Sequence, residues 1–298
     1  MSSGMKITSL TDNSVYVPGL KAEHGLSLFI ETVNDKILFD CGQSGILLEN
    51  AEKSGIDLKE TNKIVISHGH YDHTGGLMDV LKYIGKETRV YCSPKIFENK
   101  MAGTKNGEEI KGFRYVGISG KKQEFEEYGA VFNFIEQSSE ISRNIFLSGA
   151  VKRVFPNQEE GNCFFIKENG LTLTDEMSDE ISLYYFDEDI NLIITGCAHK
   201  GIINIILHSE EIAEKMILKD KDKADKKSRH LSRKFIIGGF HLAGENSEYI
   251  EKVIKEFEKF EIKKIIPMHC TGFNASCSLK NAFRDKCEFG RTGLVIDI

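Results

Sequence analysis

No apolar run in this 298-residue chain approaches the roughly 20 residues that a membrane span needs. The start, Met1-Ser2-Ser3-Gly4-Met5-Lys6, lacks the apolar core of a secretory signal. No CxxC pair occurs, which argues against a structural zinc ribbon. The seven cysteines are odd in number and scattered, so they read as reduced thiols in a cytoplasm and not as a disulfide framework. No GxSxG or Ser–Lys pattern offers a serine nucleophile. No GxGxxG or Walker loop supports nucleotide-cofactor chemistry. Internal repeats and long Pro- or Ser-rich linkers are missing too. The formal net charge of −6 argues against nucleic acid as a partner. These absences point to a cytoplasmic protein away from membranes, with its oligomeric state unspecified.

What is present is an ordinary globular composition, 40% hydrophobic and 28% charged. Leu26 to Glu31 and Lys36 to Phe39 are predicted as strands joined by a turn at Asn34-Asp35. A helix is expected over Ile46 to Ser54, a buried strand over Lys63 to Ser67, a helix from Gly76 to Tyr83, and a strand over Arg89 to Cys92. From about 95 to 161 the pattern loosens, and this stretch is expected to be a cap or lid inserted in one domain that spans 1–298. Ile181 to Phe186 and Leu192 to Thr195 read as a hairpin, and Gly201 to Met216 as a helix. Lys219 to Arg229 is a charge run of the solvated-loop kind. Phe235 to Ile237, Lys264 to Pro267 and Leu294 to Ile298 are predicted strands. Glu248 to Phe260 is an amphipathic helix, with Ile250, Val253, Ile254 and Phe257 at helical spacing. Strands alternating with helices, plus hairpins, imply α/β (α+β) layering, with two sheets face to face and helices outside.

The chemistry concentrates in "ISHGHYDHTGG", Ile66 to Gly76, where three of the nine histidines fall within six residues. The preceding strand places Ser67 to His70 beyond its C-terminal end, where ligands bind in α/β folds. In extended backbone residues i and i+2 project to one side, so His68 and His70 can reach one ion. Asp72 and His73 follow as the chain turns into a helix, and can hold a second. Imidazole and carboxylate suit Zn²⁺, Fe²⁺ or Mn²⁺. One or two divalent ions are therefore expected, zinc first among them.

His68-Gly-His70-Tyr-Asp72-His73 resembles the signature of the metallo-β-lactamase superfamily, and "KILFDCG" resembles its strand ending in aspartate, here Asp40. The stretches "AEHGLSLFIE", "TGCAHKGIINII", "GGFHL" and "PMHCTG" are similar to the subgroup of dihydropterin-methyl-ribofuranosylaminobenzene phosphate synthases. The resemblance implies a four-layer αββα sandwich with a metal site at one edge of the two sheets. It implies His199 as a third ligand to the metal of His68 and His70, and His269 as the partner of Asp72 and His73. His241 ends another strand and is expected in the same cleft, as a ligand, a substrate contact or a proton donor. Asp72 and His241 are the expected catalytic residues. His24 belongs to a subgroup-like motif and is either structural or functional. His208, mid-helix, and His230, in the charge run, are read as structural. Many members of the superfamily bridge two metals with an Asp from a Gly-Asp pair. Here the strand ends read Gly196-Cys197 and Gly238-Gly239, which leaves Cys197, Asp179 or His241 to take that place, with Asp175 another nearby carboxylate.

A bound divalent ion lowers the pKa of its water toward ~7. The leading expectation is a metal-dependent hydrolase of a phosphorylated or other anionic small molecule; Lys95, Lys105, Lys111 and Arg114 are read as surface charge first and as phosphate contacts second. The alternatives are a transferase that joins a dihydropterin-methyl group to a ribofuranosylaminobenzene 5′-phosphate with loss of diphosphate, and a non-catalytic metal-bound sensor.

Overall fold

The segment Lys63 to Val65 forms the buried strand that its apolar run predicts, and the histidine motif follows it directly. In the computed structural model, the structure of this protein describes residues 4–106, 109–156, 162–187, 189–219 and 233–298. Among these residues the chain order begins β1 (Lys6–Thr11), β2 (Ser27–Glu31), β3 (Lys36–Phe39), α1 (Ile46–Lys53), β4 (Lys63–Val65), α2 (Tyr71–Thr74), α3 (Leu77–Ile84) and β5 (Thr88–Cys92). It continues with β6 (Lys100–Asn106), β7 (Glu109–Tyr115), α4 (Lys122–Glu126), β8 (Ala130–Phe134), β9 (Ser139–Ser142), β10 (Ile145–Leu147), β11 (Asn162–Glu168) and β12 (Leu171–Thr174). It ends with β13 (Leu183–Asp187), β14 (Ile190–Thr195), α5 (Ile202–Lys219), β15 (Arg233–Gly239), α6 (Ser247–Phe257), β16 (Ile262–Met268), α7 (Phe273–Phe283) and β17 (Val295–Asp297).

Two compact units emerge. The first comprises Met1–Ile135, Glu160–Asp179 and Gly290–Ile298. It holds a seven-stranded sheet in the order β17-β1-β2-β3-β4-β5-β8 and a four-stranded antiparallel sheet in the order β12-β11-β6-β7. In the larger sheet β3, β4, β5 and β8 run parallel. β3 and β4, in the middle of the sheet, are apolar and largely buried along their length, as a parallel sheet covered on both faces requires. α3 turns Leu77, Val80, Leu81 and Ile84 inward at i, i+3, i+4 and i+7, against Leu38, Ile64 and Val90 in one apolar cluster.

The second unit comprises Glu136–Glu159 and Glu180–Phe289 and carries a six-stranded sheet in the order β16-β15-β14-β13-β10-β9. β13 and β14 form the predicted hairpin, and β14, β15 and β16 run parallel. α6 begins at Asn246, whose side chain accepts from the Tyr249 amide, and it buries Ile250, Val253 and Phe257 as the spacing predicts. Those side chains pack with Ile202, Ile206, Ile236 and Ile265.

Three elements differ from the sequence reading. β1 and α7 carry weak apolar periodicity and were not foreseen. The stretch 95–161, expected as one cap, is divided among three sheets. β8 extends the seven-stranded sheet and β9 and β10 extend the six-stranded one, while β6 and β7 pair with β11 and β12 from farther along the chain. Of the charge run, residues 220–232 lie outside the described residues, His230 included. No helix among the described residues is long and apolar enough to cross a membrane.

Candidate metal centre

In the first unit, the chain leaves β4, bends at Gly69 and is extended at His70, and Tyr71–Thr74 then winds into one helical turn. The His73 and Thr74 amides close that turn on the His70 carbonyl. His68 and His70 therefore project from one piece of backbone, and Asp72 and His73 from the next. The His68 Nε2 and His70 Nδ1 atoms lie 3.0 Å apart. The His68 and His73 rings are 4.2 Å apart between centroids, and His73 Nε2 lies 3.8 Å from Asp72 Oδ2. All four sequence-predicted ligands of this unit thus converge.

A second set of groups aims them. Asp40 Oδ2 lies 2.6 Å from His73 Nδ1 and accepts from Ser67 Oγ at 2.7 Å, while Asp40 Oδ1 accepts from the Ser67 amide. Ser67 Oγ in turn lies 2.9 Å from His68 Nδ1. These contacts commit the Nδ1 atoms of His73 and His68 and direct their Nε2 atoms into the cluster, the orientation a metal ligand needs. His24, from the loop before β2, reaches Asp72 Oδ2 with its Nε2 at 3.3 Å. The residue left as structural or functional on sequence grounds is therefore part of this cluster.

Burial decides the charge state. It pushes the His68 imidazole well below its ordinary 6.5, with the neighbouring His73 and His70 acting in the same direction. Burial likewise brings His70 down to about 3, against the pull of Asp72. Both rings are neutral near pH 7 and offer lone pairs. Neutral buried imidazoles beside a carboxylate, with the Nδ1 atoms of His68 and His73 already committed, are a donor set that fits a divalent cation.

The second unit carries its own cluster at the C-terminal edge of three parallel strands. His199 follows β14, His241 follows β15 and His269 follows β16. The His199 and His241 rings are 4.2 Å apart between centroids. Donor atoms of Cys197, His199 and His241 lie within 4.8 Å of one another, as do those of Cys197, His269 and Cys270. Cys197 is thus common to both groups. The Glu180 carboxylate accepts from the His199 amide at 2.7 Å and from the Lys200 amide at 2.8 Å, which anchors this loop. Burial pushes the Cys270 thiol up, but hydrogen bonding with Cys197 and His241 and the charge of His269 outweigh it and hold it well below 9.0.

Backbone strain coincides with these clusters. Asp40, Ala198, His241 and His269 all have φ between 46° and 58°, a left-handed conformation that costs non-glycine residues energy. The Gly238-Gly239 pair, where a bridging carboxylate was sought, has a packing explanation. A Cβ on Gly238 would lie 2.0 Å from the Thr195 carbonyl oxygen, and one on Gly239 2.4 Å from that of Gly196. The strands approach too closely there for any side chain. Asp179 does not fit the bridging role either: Lys100 and the Gly69 amide occupy its two oxygens. Asp175 is likewise bound to Lys100. Cys197 and His241 remain, and both share one group with His199.

Of the expected phosphate contacts, Lys95, Lys111 and Arg114 are exposed, and the Lys105 side chain lies outside the described residues. Lys95 Nζ donates to Ser178 Oγ, and Arg114 is near enough to Tyr71 to act electrostatically on its phenol. His208 Nδ1 lies 3.2 Å from Tyr184 Oη. A cavity of about 710 Å³ on the second unit, lined by Phe146, Asn204, Leu207, His208 and Met216 among others, includes none of the cluster residues. Sequence reasoning gave no role to Lys100, Glu180, Ser67 or Cys270, and it marked Asp40 only by resemblance. Each is a common residue type whose partner is remote in sequence or hidden in backbone geometry.

The sheet orders and the two clusters of candidate metal ligands describe an α/β protein, and comparison with known proteins names the class. The chain belongs to the metallo-β-lactamase superfamily, whose family model matches residues 20–137. It is similar to Tm1679, described as a metal-dependent hydrolase of the beta-lactamase superfamily, with 32% identity and a TM-score of 0.77 over 99% of both chains. An uncharacterised protein of Methanocaldococcus jannaschii, MJ0448, is 33% identical over 98% of this chain and 100% of its own length. The 7,8-dihydropterin-6-methyl-4-(beta-D-ribofuranosyl)-aminobenzene-5'-phosphate synthase of the same organism is 29% identical over 98% of this chain and 96% of its own. The mixed sheets and flanking helices agree with the αββα class of the superfamily.

Proposed function

We propose that the protein is a metal-dependent hydrolase that acts on a phosphorylated or other anionic small molecule. The observation that carries this reading is the convergence of His68 Nε2 and His70 Nδ1 at 3.0 Å, both rings neutral and buried beside Asp72 and His73. His68, His70, Asp72, His73, His199 and His269 are the ligands in this reading, with one or two ions, zinc first. A bound divalent ion supplies a water whose pKa is lowered toward ~7 and polarises the oxygens of the substrate. Asp72 orients that water, and Asp40 and Ser67 hold the histidines in register. His241 serves as proton donor or substrate contact. Arg114, beside Tyr71, supports an anionic substrate by its charge.

A second reading has specific support. Similarity to the Methanocaldococcus synthase runs over 98% of this chain. In that reading the bound ions would offset the charge of a departing diphosphate, while the amino nitrogen of a ribofuranosylaminobenzene 5′-phosphate would bond to the dihydropterin-methyl carbon and release its proton. Metal analysis of purified protein, followed by assay on chromogenic phosphodiesters, lactones and thioesters, separates the two. Hydrolysis that disappears in His68→Ala and Asp72→Ala supports the first. A metal-loaded wild type inert on all three classes, yet forming product from the pterin diphosphate and the aminobenzene riboside phosphate, supports the second. Protein that retains no divalent metal would overturn both.

A further inference from the structure

Lys100, at the start of β6, is fully buried. A lysine without solvent needs charged partners. Its Nζ donates to Asp175 Oδ2 at 2.6 Å and to Asp179 Oδ1 at 2.9 Å, and both carboxylates are themselves buried. Burial alone would lower the ammonium's pKa, but the two carboxylates outweigh it and hold it above 10.5. The triad therefore keeps its charge and carries one negative charge in excess.

Its second contact gives it a purpose. Asp179 Oδ2 accepts from the Gly69 amide at 2.7 Å. Gly69 is the residue between His68 and His70. A Cβ there would meet the Ile96 carbonyl oxygen at 2.4 Å and Asp179 Oδ2 at 3.3 Å, so the backbone is pressed onto the triad. Two further ties come from the same four-stranded sheet. The Lys100 carbonyl accepts from the Val116 amide, and the Val116 carbonyl accepts from the Tyr71 amide, both at 3.0 Å. Phe164 of β11 stacks on the His70 ring at 5.1 Å between centroids, and its carbonyl accepts from the Asp175 amide.

We infer that Lys100, Asp175 and Asp179 are a buried positioning unit for the His68–His70 loop, in which the ammonium fixes Asp179 and Asp179 fixes the Gly69 amide between the two imidazoles. The inference rests on the reading of His68 and His70 as metal ligands. None of the three touches the reacting atoms. They set the direction of both rings before an ion arrives, and their excess negative charge favours a cation nearby. The two aspartates differ in one respect: both bind Lys100, but only Asp179 touches the ligand loop.

That difference makes the test. Asp179→Ala and Asp175→Ala each remove one carboxylate from the ammonium, and both are expected to lower the melting temperature. Zinc affinity is then measured by competition with a chromogenic chelator, alongside the visible spectrum of the Co²⁺-substituted protein. Asp179→Ala is expected to weaken zinc binding by about 10- to 100-fold, as for other groups that orient a ligand, and to shift the Co²⁺ ligand-field bands. Asp175→Ala should leave the bands near those of the wild type. Equal affinities and spectra in wild type and both variants, with binding lost in His68→Ala, would overturn the positioning role alone. Wild type and His68→Ala binding zinc equally would instead overturn the ligand reading. Should Asp179→Ala fail to fold, amide hydrogen exchange in metal-free wild type decides. Protection of the Gly69 amide is expected, and exchange at the rate of an open loop refutes preorganisation by Asp179.

Discussion

Asp40 Oδ2 and His73 Nδ1 lie 2.6 Å apart, and both side chains are fully buried. The same carboxylate takes the Ser67 hydroxyl and amide, so one aspartate aligns His73 directly and His68 through Ser67. Asp40 sits at φ 58°, a conformation that asparagine tolerates better than most residues. Asp40→Asn therefore removes the charge while sparing the backbone. We expect it to fold and to bind zinc about 10- to 100-fold more weakly, by chelator competition. Unchanged affinity would show that His73 needs no carboxylate behind it.

Cys197 is the side chain shared by the His199–His241 and His269–Cys270 groups. If its sulfur is a ligand, the Co²⁺-substituted protein shows a thiolate-to-metal charge-transfer absorption. The band should vanish in Cys197→Ser and persist in Cys270→Ser. A band that survives the first substitution and is lost in the second assigns the role to Cys270.

His24 touches Asp72 from a side chain that is 54% exposed, so it joins the cluster to solvent without being enclosed in it. A group so placed suits proton exchange, which commonly contributes ~10²-fold or more to a rate. His24→Gln should keep the wild-type metal content and lower kcat by about tenfold or more. Loss of metal from this variant would instead make His24 a ligand.

His208 offers a pH dependence away from the clusters. Burial lowers its pKa from the ordinary 6.5, with Lys215 acting in the same sense and Glu211 opposing. As pH falls below 6.5 the unfolded chain takes up the proton before the folded one does. Stability is therefore complete above that pH and declines on acidification, with a slope of at most about 1.4 kcal/mol per pH unit for one proton. Urea midpoints of metal-free wild type between pH 7 and 5 should fall more steeply than those of His208→Gln. Parallel curves would remove His208 from the account.

Much of this centre was legible in the sequence, for a reason visible in the fold. His68, His199, His241 and His269 each follow a strand of continuous apolar residues, and short buried strands announce their ends clearly. The i, i+2 pair His68 and His70 do meet, with Nε2 and Nδ1 3.0 Å apart, although the chain bends at Gly69 between them. What stayed hidden depends on long-range pairing. Lys100 opposes Ile166 in β6 and β11, a register set by contacts far apart in the chain, and nothing local marks that lysine as buried. The stretch from 95 to 161 looked loose because its strands find partners in three different sheets. Asp179 read as a candidate bridging carboxylate because a side chain that holds a backbone amide leaves no spacing rule in the sequence.

The crowding at Gly69 bears on how the HxHxDH motif is to be read in variation data. With the Ile96 carbonyl 2.4 Å from where a Cβ would stand, this position should reject alanine almost as firmly as the flanking positions reject loss of imidazole, although it contributes no donor atom. In a saturation screen the motif would look like an unbroken block of intolerance made of two kinds of position. Chelator sensitivity would sort them: the histidine variants would lose their response to added zinc, while a Gly69 variant that still folds would recover part of its function as zinc is raised.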